Sequence, residues 1–166
     1  MTDRAPGTPA RRSAGPDAPT PMPIPTTPLI VTGAFGALPA PRVAGALARG
    51  LEAGGAQRAD ICALPGDLDR SGPLRAALDA LGLDRRIPAA RAVIVGEWLL
   101  DERTLAGSAA FELATRARQS GVPCYAVTGE NRLSPFDARV LDLQLILIAR
   151  GARALSAAGR TLASAT

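Results

Sequence analysis

The stretch from Arg91 to Pro123 constrains the fold most, because it reads as strand, polar loop, helix and turn in one run. Ala92 to Val95 (AVIV) is short, apolar and rich in β-branched residues. That composition suits a strand buried on both faces of a parallel sheet. Gly96-Glu97 is expected to end it. The loop from Glu97 to Thr104 then gathers Glu97, Asp101, Glu102, Arg103 and Thr104. Open α/β sheets place their ligands at the C-terminal ends of such strands. Beyond the loop, Ala110, Leu113, Ala114 and Ala117 make one helical face with Arg116 and Arg118 off it. Gly121 stops that helix, and Pro123 sets the turn into the next strand.

The same alternation runs through the chain from residue 29. Leu29–Thr32 is a first strand. Pro41 opens a helix striped by Val43, Leu47 and Leu51 and stopped at Gly54-Gly55. Ala59–Leu64 is a second strand and Pro73–Leu81 a short helix. Cys124–Val127 is a fourth strand. Ser134-Pro135 reads as an N-cap followed by proline at the first helical position, predicting a helix to about Val140. Leu143–Ile148 is a fifth strand and Ala152–Ala163 a terminal helix. This pattern predicts an α/β fold, a Rossmann-like three-layer αβα sandwich with a mostly parallel sheet of about five strands, in the order 2-1-3-4-5 or its six-element relative. Residues 1–28, with eight prolines, are expected to be a disordered tail, and residues 29–166 one domain.

Composition removes much of enzyme chemistry. All 19 basic residues are Arg, and there is no His. No lysine can cradle a phosphate or form a Schiff base, and no histidine can serve as general base or zinc ligand. The Arg residues are scattered among acids, which reads as solvated surface and not as a nucleic-acid patch. Aromatics make up 3%, too few for base stacking. Cys62 and Cys124 lie in apolar runs without metal-ligand spacing, as small core residues of a reducing compartment. No run is long enough to span a membrane, and no signal segment is evident, so a cytoplasmic location is expected. The strand ends would bring Thr32, Asp67, Asp69, Glu97, Asp101, Thr104, Thr128 and Glu130 to one edge. Such an acidic edge suits Mg²⁺ or the hydroxyls of a sugar acid, although Asp and Glu also cap turns and helices.

The central stretch, GEWLLDERTLAG followed by GVPCYAVTG, resembles the GEGRLDxQTxxGK…GVPVIALAG region of the bacterial type 1 glycerate kinase family. Leu29–Asp67 is similar to that family's opening segment and Ala77–Ala165 to its closing one. The long insert that builds a second domain in full-length members is reduced to a few residues near Arg70–Pro73. Gly96, Glu97, Leu100, Asp101, Thr104 and Gly107 match the central motif. Trp98 stands for its second glycine, Leu99 for its arginine and Ser108 for its late lysine. In the opening motif the family's Asp falls on Thr32 and its Lys on Phe35, with Gly36 kept. Asp67 matches the Asp of ADGGEG.

The resemblance implies a family reaction, transfer of the γ-phosphate of ATP to glycerate, with Mg-ATP as cofactor. It implies catalytic roles for Asp67 and Asp101, and ligand-binding roles for Gly96, Glu97, Thr104 and Gly107. No residue is assigned to a metal. A small organic acid and a nucleotide are the implied ligands. A homo-oligomer or protein partner is also expected, and neither nucleic acid nor membrane. Three family cations are replaced here, and phosphoryl transfer depends on neutralising charge. Losing one such donor typically costs about 3–4 kcal/mol. The short chain is therefore expected to have little or no kinase activity alone and to serve as a binding or interaction module. The alternative is an active kinase of glycerate or a related acid, as an oligomer or with a partner chain.

Overall fold

The computed structural model describes residues 25–66, 68 and 73–166. The proline-rich tail up to residue 24 lies outside the described residues, as do Asp67 and Asp69. Five strands form one parallel sheet: β1 (Leu29–Thr32), β2 (Asp60–Ala63), β3 (Val93–Leu100), β4 (Cys124–Asn131) and β5 (Leu143–Ile148), in the order β2-β1-β3-β4-β5. Every pairing is parallel. The fold is the α/β sandwich that the sequence pattern predicts, with the helices α1 (Ala40–Ala53), α2 (Leu74–Ala80), α3 (Leu83–Arg86), α4 (Ala109–Gln119), α5 (Pro135–Val140) and α6 (Gly151–Ala163) on its two faces.

Side-chain alternation divides the core. Leu29, Val31, Val93, Val95 and Ala126 pack with Leu78, Leu83 and Leu113 on one face. Ile30, Ile94, Tyr125 and Val127 pack with Leu47, Leu51, Leu155 and Leu162 on the other. All four residues of β1 are fully buried, which explains its unbroken apolar run. Aromatic side chains are few, so small residues close the layers. At the crossing of α1 and α6 a Cβ added to Gly50 would lie 2.9 Å from Gly159 Cα and closer still to Ser156 O. Two helices approach this closely only where neither carries a side chain.

Most element boundaries agree with the sequence reading, and α5 and β5 coincide with it. The central strand does not. β3 continues past Gly96-Glu97 to Leu100, and β4 past Val127 to Asn131. The two extend together: Glu97 pairs with Thr128, Leu99 with Glu130 and Leu100 with Asn131. Each supplies the backbone partners the other needs. The loop expected from Glu97 is thus half strand and half 3₁₀ turn, the latter at Glu102–Ala106.

Candidate functional site

The strand order reverses between β1 and β3, since β1 leads outward to β2 on one side and β3 to β4 on the other. Such a switch point leaves a crevice beyond the strand ends, because the connections diverge to opposite faces. A cavity of about 280 Å³ lies there. Its lining comes from Gly33 and Ala34 after β1, Pro65, Gly66 and Leu68 after β2, Gly96 and Glu97 of β3, and Ser108 at the start of α4. A second hollow of about 380 Å³ shares Gly33, Ala34, Glu97 and Ser108 and adds Trp98, Asp101, Arg103 and Thr104. The two are lobes of one cleft.

Glycine makes the floor. A Cβ on Gly96 would sit 2.9 Å from Thr32 Cβ, against the neighbouring strand. Thr32 is fully buried, and its hydroxyl donates to the Ala40 carbonyl at 3.2 Å. The position that matches the family's aspartate is therefore a sealed part of the core. Thr128 is likewise buried, its hydroxyl 2.8 Å from the Glu130 carbonyl and 3.0 Å from the Trp98 carbonyl, the two acceptors within reach of its one proton. Glu130 pairs with Arg132 at 2.8 Å, outside the cleft lining.

Trp98 is the one aromatic residue that lines the cleft among the described residues. Trp98 lies over Gly129, whose missing side chain leaves room for the indole. Phe35, itself buried, meets Trp98 edge to face with ring centroids 6.0 Å apart and planes at 76°. Such a geometry matches the positive ring edge of one partner to the negative face of the other. Phe35 is where the family motif has lysine, and Trp98 is where it has glycine.

The opposite end is a set of caps. Asp101 Oδ1 accepts from Arg103 N at 2.9 Å, and Thr104 Oγ1 accepts from Asp101 N at 3.1 Å. This reciprocal box starts the 3₁₀ turn and holds Thr104 buried. Gly107 ends the turn at φ 108°, a backbone shape that disfavours any side chain. Ser108 then caps α4 by accepting from Phe111 N at 3.2 Å.

Of the residues expected at the site, Gly96, Glu97, Asp101 and Thr104 thus line the cleft, and Gly107 shapes the turn beside it. Asp67 lies outside the described residues, although its chain neighbours Gly66 and Leu68 line the first lobe. Reasoning from the sequence alone missed Gly33, Ala34 and Ser108 as cleft residues. Ser108 carried a visible signal, a serine directly before the apolar stripe of α4. Arg103 is the one cation lining the cleft among the described residues. No group of three or more Cys, Asp or Glu among them could hold a metal ion. No helix among them is long and apolar enough to cross a membrane.

No curated protein matches the chain. Among solved structures, a protein of Burkholderia pseudomallei described as pilus assembly-related is 20% identical, over 87% of this chain and 95% of that one, with a TM-score of 0.47. The sequence profile of the glycerate kinase family matches residues 36–163. That span runs from the turn after β1 to the end of α6 and includes the whole cleft beyond Gly33 and Ala34, so the chain belongs to the glycerate kinase family.

Proposed function

We propose that this chain is a glycerate kinase-family domain whose cleft no longer supports phosphoryl transfer by itself, and that it acts as a binding or interaction module. The Phe35–Trp98 contact carries this reading. It sets two apolar rings where the family motif has a lysine and a bare glycine. Phosphoryl transfer is catalysed by positioning and by cations around the moving group. Rings supply neither.

The residues present do not fit Mg-ATP. Asp101 spends one carboxylate oxygen on its own turn, and Ser108 stands where the late lysine would be. Arg103 is exposed on a surface turn, so its charge is screened by water. The cleft that remains suits a small polar acid better than a triphosphate. Gly33 and Gly66 in its lining leave backbone within a ligand's reach, and Ser108, Ala109 and Ala110 at the start of α4 line the first lobe.

The test is calorimetric titration of the pure protein with ATP–Mg²⁺ and, separately, with D-glycerate, beside an assay of ATP-dependent glycerate phosphorylation. We expect no phosphorylation and no nucleotide heat. Phosphorylation that disappears on Asp67→Ala or Asp101→Ala would overturn the reading.

A further inference from the structure

The two faces of the sheet carry their charge differently. Beside α2, α3 and α4 the arginines are paired: Arg75 with Glu112, and Arg116 with both Asp79 and Asp84. On the other face, α1 and α6 expose Arg42, Arg49, Arg153 and Arg160, and none of these has a carboxylate partner among the described residues. Glu52 is the one acid in either helix. The two helices therefore carry a net charge of +3, against +4 for the whole chain. Arginines that read as scattered along the sequence are gathered here by the fold. The helices run parallel, because Gly50 faces Ser156 and Gly159 while Gly54 faces Arg160 and Ala163. On each helix the two arginines are seven residues apart, two turns less about 20°, so they share a face. In that register the four alternate along the seam as Arg42, Arg153, Arg49 and Arg160, at backbone steps of about 5 Å over about 16 Å. Glu52 lies about 160° round α1 from Gly50, on the flank away from α6.

We propose that this row binds the phosphate backbone of a nucleic acid without reading its sequence. The chemistry of the face selects that occupant. Among the described residues, neither helix exposes a large apolar side chain. Protein interfaces are built round an apolar or aromatic core, and this face has none. Helices that lie on membranes bury an apolar face in the lipid boundary, and the apolar faces of α1 and α6 are already spent on the sheet. What fits is a hydrophilic polyanion. A small anion would engage one or two members of the row, whereas a chain of phosphates spaced a few ångströms apart engages all four. Guanidinium suits the role, since its forked donors meet phosphate oxygens in pairs. Neither helix carries Asn, Gln or an aromatic residue, so neither supplies a side chain to read a base or stack on it. The described cleft lining draws on neither α1 nor α6, so the row stands or falls apart from the function proposed above.

Fluorescence anisotropy tests it, with the full chain and a labelled mixed-sequence oligonucleotide, first single-stranded and then duplex. Both probes should bind at low salt, and log K should fall linearly with log salt. The double variant Arg49→Gln, Arg153→Gln should bind more weakly. With two phosphates fewer neutralised, its slope should be shallower by about 1.8 on the duplex and about 1.4 on the single strand. The control variant Arg85→Gln, Arg139→Gln removes the same charge from the opposite face, at exposed positions without ion pairs among the described residues. It should leave the slope unchanged, and both variants should keep the wild-type thermal midpoint. No oligonucleotide binding at low salt, or an equal loss in the two variants, overturns the proposal. Tighter binding to phosphatidylserine-containing vesicles than to the oligonucleotide also overturns it, and assigns the row to a membrane surface.

Discussion

Trp98 rests on Gly129: its indole carbons fill the space that a Cβ at residue 129 would need. The contact joins the extended parts of β3 and β4 at the mouth of the cleft. Gly129→Ala should therefore tilt the indole away and destabilise the fold by about 1–3 kcal/mol, the usual cost of overpacking. Trp98 is the sole tryptophan, so its emission reports the change directly. In the double variant with Trp98→Leu the two losses should not add, because the first substitution acts through the ring.

The helix crossing gives a prediction whose sign runs against propensity. Alanine is favoured over glycine in a helix by about 1 kcal/mol. At Gly50 that gain is outweighed, since the new methyl meets the backbone of α6, which cannot swing aside. Gly50→Ala and Gly159→Ala should each lower the denaturation midpoint, by about 1–3 kcal/mol or more. Gly45→Ala is the control. Its Cβ would meet only the end of the Arg49 side chain at 3.4 Å, so it should be neutral or stabilising by up to about 1 kcal/mol.

Much of the fold is legible in the sequence, and the failures are instructive. β5 and α5 were readable because their signals are local: an apolar run, and serine-proline at a helix start. The reach of β3 to Leu100 was not, because Glu97 and Trp98 look like loop residues until β4 is seen to extend beside them. Strand length there belongs to a pair, not to one segment. Asp101 and Thr104 were legible as motif residues, but their mutual capping depends on the 3₁₀ turn that they start. The Phe35–Trp98 contact joins residues far apart in the chain, which spacing alone cannot announce.

Asp101 lets fold and binding be separated. Asp101→Ala should cost about 1 kcal/mol through the lost cap. Asp101→Ser keeps a capping oxygen and should stay close to wild type in unfolding experiments. A ligand held by the carboxylate would lose affinity in both variants alike, which titration would read.

The Asp60–Arg86 pair should appear on the acid side of the stability profile. The Arg86 hydrogen bond is the main cause that holds the Asp60 pKa below its ordinary value. A depressed carboxyl stabilises the fold above its unfolded pKa, near 3.9, and that contribution is lost as pH falls through the lower folded value. Both partners are partly exposed, so the contribution is at most about 1 kcal/mol. Asp60→Asn should lower the thermal midpoint slightly at neutral pH, and its difference from wild type should fade as pH drops below about 4.

The two thiols should be silent in the native state. Burial pushes Cys124 up to about 12, with the Asp142 charge adding to it, and burial also raises Cys62. The thiolate is the reactive form. A thiol reagent at neutral pH should label neither until denaturant is added, and rapid native labelling would contradict this burial.

The α1–α6 clasp joins two helices across about a hundred residues of intervening chain. One side of the sheet is thereby sealed late. While a ribosome is still making the strands, Leu47 and Leu51 have no α6 to meet, and the glycine seat on α1 stands open. Elements paired over so long a loop must wait for the chain to return. For this protein that face of the sheet cannot close until α6 has emerged, and α6 acts as its latch.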